Sequence, residues 1–414
     1  MVRSMDINRA RKYFAEAETL FARDDGALWG VSLQGPMIFV DYETRVAVAN
    51  QPDGERELKL RDGMWVGVIP PEVMIANTAM TRAGVHWTMV LWQALPEEPM
   101  SRAALLAHEA FHRIQGDVGL PMPEIPNANG HLDTLEGRTW MQLEWRALEQ
   151  ALLADGETRR RAIGDALLFR ASRRAHFPTA AVEERALELH EGLAEYTGLR
   201  ISGLAQEQVA DHIREAPSRY PSFVRSFAYA SGPGYGFLLD EAAPAWRAGL
   251  TPEDDLGDLL RAAREVTLRQ PLAEHALERA GAYDGKALRA REEARERERQ
   301  AEIAAYRKCL WDGRVLVLPL SEGVQCGFDP RATVPIPDLG TVFPFVHVSD
   351  RWGVLDVAEG GLLMANDWET ARIRAPKEAE GSSVNGEGWM LALRSGWLIQ
   401  RRRRPGDRLL VEEE

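Results

Sequence analysis

Cysteine is almost missing from this chain: Cys309 and Cys326 are the only two in 414 residues. Two thiols build no disulfide framework, and their spacing is not that of a cysteine metal ribbon. Long apolar runs are missing too. No stretch of about 18 apolar residues occurs, so no transmembrane helix is expected. The opening "MVRSMDINRARKYFAEAETLF" is charged and amphipathic and lacks the apolar centre of a signal peptide. The expectation is a cytoplasmic protein, or an exported one if a leader precedes this numbering. Positive charge is in deficit: 50 Lys and Arg face 63 Asp and Glu, a net charge of -13. That balance disfavours nucleic acid and acidic membranes as partners, because their phosphates would be repelled. The one basic run, Arg401 to Arg404, is followed by Pro-Gly-Asp and an acidic tail and reads as a solvated strand or turn.

What is present is an ordinary globular composition in a chain long enough for two or three domains. Residues 6–22 read as a first helix. Short β-branched and aromatic runs come next, among them "MIFVDY", "RVAVANQ", "MWVGVIP" and "VHWTMVLW", separated by Gly, Pro and Asp signals. Ser101 is placed to N-cap a helix "RAALLAHEAFHRIQG" that Gly116 stops. Residues 119–130, "GLPMPEIPNANG", form a Pro- and Asn-rich loop. Residues 131–308 carry apolar faces at helical period, and strand-like runs resume after Leu310. The fold expectation is therefore α+β. An N-terminal α/β part (1–118) ends in the helix just described, a helical domain comes after it (119–308), and an all-β domain closes the chain (309–414).

Within that helix stands "AHEAFHR", an H-E-x-x-H pattern at His108, Glu109 and His112. Positions four apart stack on one helical face, so the two imidazoles can meet a single ion. Glu109 flanks that face as a general base. Two neutral nitrogens and a neighbouring carboxylate are what a hydrolytic zinc site requires. A catalytic zinc takes a third protein ligand. The best candidate is Glu191 in "LHEGLAEYTG", on a predicted helix, with Glu195 one turn later placed to accept a hydrogen bond from the N–H of a coordinating histidine and fix its tautomer. Glu136 and Glu144 are the competing third ligands, though Glu144, set among Trp and Leu, could instead be a buried partner of an arginine.

This combination resembles the gluzincin zinc metallopeptidases, the group that includes thermolysin and the aminopeptidase N family. "HEGLAEY" is similar to the N-E-G-F-A-x-Y stretch of the latter at Glu191, Gly192, Ala194 and Tyr196, and the acidic Glu195 comes after the presumed ligand as in thermolysin-like enzymes. "AYASGPGYGFLLDE" looks like the Y-x-x-G segment. By that resemblance Tyr229 would hydrogen-bond the tetrahedral oxyanion, with Tyr235 the runner-up. Gly232 and Gly234 suggest a sharp turn that opens a helix and aims such a side chain at the metal. The resemblance spans roughly residues 85–245. It departs from those families in the long gap between His112 and Glu191 and in the absence of a G-x-M-E-N loop, so it implies no exopeptidase activity.

The resemblance implies a zincin-like mixed sheet beside the active helix, with "VHWTMVLW" as the edge strand that pairs with an extended substrate. It implies one zinc ion held by His108, His112 and Glu191, and hydrolysis of a peptide or protein substrate with Glu109 as base. Two rivals remain: an inactive zincin-like binding or scaffold protein, and a zinc hydrolase of a non-peptide amide or ester.

Overall fold

The computed structural model describes residues 5–70, 73–122, 129–328, 332–336, 338–401 and 407–412. Arg402 to Arg404 of the basic run, and residues 123–128 of the Pro- and Asn-rich loop, lie outside the described residues. The chain divides into two compact units, Met1–Ala290 and Arg291–Glu414. The architecture is mixed α+β, with an N-terminal sheet, a helical middle and a C-terminal β region. Among the described residues no helix is long and apolar enough to cross a membrane.

The first unit opens with α1 (Ile7–Asp24), whose Asp6 side chain accepts from the Asn8 and Arg9 backbone N–H groups and caps its start. Its inward face is Ala10, Tyr13, Phe14, Ala17 and Phe21, spaced three and four apart. Six strands come next: β1 (Met37–Val40), β2 (Val46–Ala49), β3 (Lys59–Arg61), β4 (Met64–Val68), β5 (Thr78–Arg82) and β6 (Val85–Leu91). They form one sheet in the order β3-β4-β2-β1-β6-β5, antiparallel except where β1 runs parallel to β6.

Alternation sorts the strand residues between the two faces. Met37 and Phe39 join the helical core, where Phe39 stacks on Phe14 at 4.1 Å. Ile38 and Val40 pack with Ala47, Ala49, Trp87 and Met89 on the other face. The sheet corrects one expectation. "VHWTMVL", β6, is flanked on both sides, and the strand at the edge is β5. The sequence signal misleads because β5 (Thr-Ala-Met-Thr-Arg) is only partly buried and shows weak apolar alternation.

The helices are α2 (Pro99–Ile114), α3 (Leu135–Leu153), α4 (Gly156–His176), α5 (Ala180–Leu187), α6 (Leu193–Ser202), α7 (Gln206–Arg219), α8 (Ala228–Ala242), α9 (Leu256–Ala263), α10 (Leu272–Ala280) and α11 (Gly285–Arg307). Leu106 and Phe111 of α2 share one core with Leu148 of α3, Phe169 of α4, Tyr196 of α6 and Leu238 of α8. Residues on both sides of position 118 belong to this core, because α2 packs on β5 and β6 and also on α6.

In the second unit, β17 (Trp397–Arg401), β18 (Arg408–Glu412), β7 (Val315–Pro319), β14 (Thr370–Arg374), β13 (Leu362–Ala365), β10 (Gly340–Phe343) and β9 (Val334–Ile336) form one sheet in that order. A second sheet has the order β15 (Ser383–Gly386), β16 (Trp389–Leu393), β12 (Gly353–Val357), β11 (Val346–Asp350) and β8 (Gln325–Gly327). Leu316, Leu318 and Ile373 of the first sheet meet Val348, Leu355 and Leu391 of the second in one core.

Candidate metal centre

The helix that carries the H-E-x-x-H pattern starts three residues earlier than its sequence suggests. Pro99 takes the first helical position, where its missing N–H costs nothing, and the Glu98 side chain rather than Ser101 is the cap. Glu98 accepts from the Met100 and Ser101 backbone N–H groups, which holds its carboxylate below the usual range. The helix buries Leu106, Ala107, Ala110, Phe111 and Ile114. His108 and Glu109 are buried with that face, and His112 is half-buried.

Glu191 arrives from a separate element. Between α5 and α6 the chain makes one wide turn of π-helical pitch, Glu188–Gly192, instead of a continuous α-helix. Such a turn inserts one extra residue and rotates the helix beyond it, and turns of this kind recur at functional sites. Here the turn carries Glu191, while Glu195 sits in the first turn of α6. The two helices close up at Gly198, where a Cβ would come within 2.5 Å of the Ala104 carbonyl oxygen. Glycine there lets α6 lie against α2 directly beside His108.

The result is a convergence of donor atoms. His108 Nε2 and His112 Nε2 are 3.1 Å apart, and Glu191 Oε2 lies 3.7 Å from the first and 3.5 Å from the second. The three residues each offer one ligand atom, and these lie within 4.8 Å of one another. A tetrahedral ion about 2.0–2.1 Å from two imidazole nitrogens would set them roughly 3.3 Å apart, close to what is seen.

The tautomers make the case sharper. His108 Nδ1 donates to Glu195 Oε2 at 2.9 Å, and His112 Nδ1 donates to Gln115 Oε1 at 2.8 Å. Gln115 is itself oriented, because its amide nitrogen donates to the Leu189 and His190 carbonyls at 3.3 and 3.0 Å. With both Nδ1 atoms protonated, two neutral rings would point Nε2 lone pairs at each other and at a carboxylate. Only a positive charge between them relieves that.

The electrostatics point the same way. Burial disfavours the His108 imidazolium, but its bonds to Glu191 and Glu195 outweigh burial and push it up to about 10. Burial likewise works against the Glu191 carboxylate. His108, His112 and His190 overcome it and hold Glu191 far below the usual range. A divalent cation fits this donor set as well as a proton does, with both histidines neutral.

Glu109 differs from its neighbours. Burial raises its carboxyl above the ordinary range, opposed by His108 and His112. Its Oε2 is buried with no hydrogen-bond partner among the described residues. With His108, Glu195 and Tyr229 it lines a cavity of about 860 Å³. Leu105, Leu199 and Leu204 supply apolar wall, and His212, Arg219 and Tyr220 polar wall.

Tyr229 hydrogen-bonds Glu191 Oε2 at 3.1 Å through its hydroxyl. Burial, and then Glu191, raise its phenol well above the usual value, so it stays a proton donor. It gets there by a different route from the glycine turn expected from sequence. Residues 228–242 are all helical, with Gly232, Pro233 and Gly234 inside α8 and Tyr229 in its first turn. Gly232 and Gly192 touch backbone to backbone: a Cβ on Gly232 would lie 2.4 Å from the Gly192 Cα. The glycines therefore serve close packing and not a turn. Pro233 has no N–H to give to the carbonyl four residues back, which is that of Tyr229. His212 Nε2 donates to it instead, at 2.9 Å.

The competitors for these roles lie elsewhere. Tyr235 donates to Glu144 Oε1 at 2.8 Å, fully buried. Glu144 also meets Arg170 and Arg173, in a network that continues to Glu184, Glu188 and Asp255. Glu136 is held by Trp140 and Arg289.

Gln115, His212 and Arg225, which contacts Glu191 Oε1 at 3.3 Å, are additions to the residues expected from the sequence. Gln115 is the readable one, three residues after His112 and thus on the same helical side. No local pattern marks His212, because what it caps is a carbonyl on another helix.

Comparison with known protein families, curated proteins and solved structures gives no match to this chain.

Proposed function

We propose that this protein is a zinc-dependent metallopeptidase of gluzincin type. The observation that carries the reading is the pairing of a three-residue donor set, His108, His112 and Glu191, with a buried Glu109 oxygen that has no partner among the described residues. A structural metal site needs no such base. A zincin-like arrangement is supported by the mixed sheet packed on α2 and by the outer edge of β5, which pairs with no further strand among the described residues and whose backbone can pair with an extended peptide.

Zinc bound by His108, His112 and Glu191 would supply a Lewis acid and bring the pKa of water toward neutrality. The remaining work falls to the chain. Glu109, its basicity raised by burial, takes a proton from the attacking water at its free oxygen and returns it to the leaving amine. Tyr229 stays protonated and donates a hydrogen bond to the oxyanion of the tetrahedral intermediate. Glu195 and Gln115 hold the two imidazoles with Nε2 unprotonated. The cavity's leucines exclude water from one side of the substrate.

The test joins metal analysis to an unbiased peptide-library digest with and without chelator. Wild type is expected to carry one zinc and to cleave only when it is present. Glu191→Gln is expected to lose the metal, and Glu144→Gln and Glu136→Gln to keep it. Glu109→Gln is expected to keep zinc and lose turnover by roughly three or more orders of magnitude. Near wild-type cleavage by Glu109→Gln would sink the mechanism, and a zinc-loaded wild type that cleaves nothing would favour a non-peptidase hydrolase or a scaffold.

A further inference from the structure

The second unit contains a cavity of about 940 Å³ that belongs to neither the metal centre nor its cleft. Its wall is made by the turn after α11, the start of β7, the end of β14, the β15–β16 hairpin and β18. Five of its lining side chains are cationic, Lys308, Arg314, Arg374, Lys377 and Arg408, and one, Glu387, is acidic. Glu387 pairs with Arg374 at 2.7 Å, and Arg408 donates to the Lys377 carbonyl at 3.4 Å. Among the described residues, the side chains of Lys308, Arg314 and Lys377 meet no acceptor. Among the described residues, only Arg374 of these five cations is paired with a carboxylate.

This concentration is not a by-product of general basicity, since the chain carries a net charge of -13. Like charges that converge on a concave wall repel one another, and the low-dielectric wall focuses their field outward. The arrangement is stabilised by whatever anion enters. Arginine forks match the oxygens of phosphate in bidentate pairs, and lysines add point charges. The volume is that of a small-molecule site. A long polyanion would have to approach an acidic protein along much of its length, which the net charge opposes.

We propose that this cavity binds a small multivalent anion bearing a di- or triphosphate group, independently of the metal centre. Arg314 and Lys308 bind the phosphate oxygens, and Arg374 exchanges its contact with Glu387 for the ligand.

Isothermal titration calorimetry of the full chain with inorganic tripolyphosphate tests this. One site is expected, its affinity falling about tenfold or more in Arg314→Ala and in Lys308→Ala with thermal midpoints unchanged. Arg351→Ala is expected to bind like wild type, because its guanidinium lies over Trp397 and outside the cavity. Tripolyphosphate also chelates metals, so the titration is repeated on His108→Ala. Retained binding there supports the cavity, and lost binding would move the anion to the metal centre and overturn the proposal. Absence of binding to wild type, or binding that ignores Arg314 and Lys308, would also overturn it. A single-stranded oligonucleotide that binds through Arg314 when tripolyphosphate does not would overturn it in favour of a polymer. ATP in parallel separates the sources: equal affinity assigns recognition to the phosphate chain alone, and tighter binding adds a nucleoside.

Discussion

Tyr229 shows what a single hydroxyl contributes at this site. It is 3.1 Å from the Glu191 oxygen that approaches both histidines, and its phenol is held protonated by burial and by Glu191. In the reaction proposed above, a donor placed there would strengthen as charge develops on the substrate oxygen and so act on the transition state more than on binding. Tyr229→Phe is expected to fold, hold zinc and show kcat lowered roughly a hundred- to a thousandfold with KM little changed. Tyr235→Phe is the matched control. It perturbs the Glu144 network, so its signature is a lower melting temperature with kcat retained. Gln115 works at one remove, by orienting His112. Gln115→Ala is expected to weaken zinc affinity by about ten- to a hundredfold, read by competition with a chromophoric chelator. Unchanged affinity would mean that the helix alone orients the ring.

At the scale of elements, the site depends on how closely three helices approach. Gly198 admits α6 to α2, and the Gly192–Gly232 contact brings α8 against the π turn that carries Glu191. A methyl at Gly232 would meet the Gly192 Cα, C and O at 2.4 to 2.5 Å, all backbone atoms that cannot swing aside. Gly232→Ala should therefore cost about 1–3 kcal/mol of stability. It should also push the π turn away from α2, so that zinc affinity falls with it. Gly281→Ala is the control, since a Cβ there meets nothing within 4 Å and its φ of -58° is ordinary helix. Chemical denaturation and zinc titration of both variants check the pair of effects. Loss of stability with metal affinity intact would separate packing from site geometry.

Within the first unit, a buried ionic network ties α3 and α4 to α5, the π turn and the start of α9. Arg173, fully buried, bonds both Glu144 and Glu184, and Arg170 bonds Glu144, Glu188 and Asp255. Burial works against the Glu184 carboxylate, but Arg173, His131 and Arg174 hold it well below the usual range, and Arg170 and Arg174 do the same for Asp255. Their folded values are depressed. Their contribution is therefore complete above the ordinary carboxylate range, near 4, and is lost as pH falls below it toward the folded values. Glu188 has the opposite sign, because burial raises it more than Arg170 lowers it, and it offsets part of the loss. Arg173→Met leaves two buried carboxylates short of a partner and should cost about 3–5 kcal/mol at pH 7. The same variant should cost less at pH 3, where protonation removes the uncompensated charge. Urea unfolding at both pH values reads the difference. An equal penalty at the two would show that Arg173 matters for its packing and not its charge.

Local chemistry was legible in the sequence because it depends on residue type and helical period. The spacing of His108 and His112 dictated a shared face, Glu109 lay beside it, and Glu195 was readable from its offset to Glu191. The mixed α+β order came from apolar periodicity together with β-branched and aromatic runs and turn signals. What the sequence left open was every choice that depends on distance through space. Glu191 was preferred in the sequence over Glu136 and Glu144, but what brings it to the histidines, and Glu144 to Arg170 and Arg173, is the packing of α6 on α2 and of α3 on α4. The π turn and the Gly192–Gly232 contact are products of that packing, with no local pattern to announce them. The edge strand was misplaced because burial, more than alternation, distinguishes β5 from β6. His212 could not be found at all, since the carbonyl it caps is exposed by Pro233 on a different helix. Sequence determines what each side chain can do, and tertiary contact decides which side chains meet, because helix–helix approach distances are set by residues far apart in the chain.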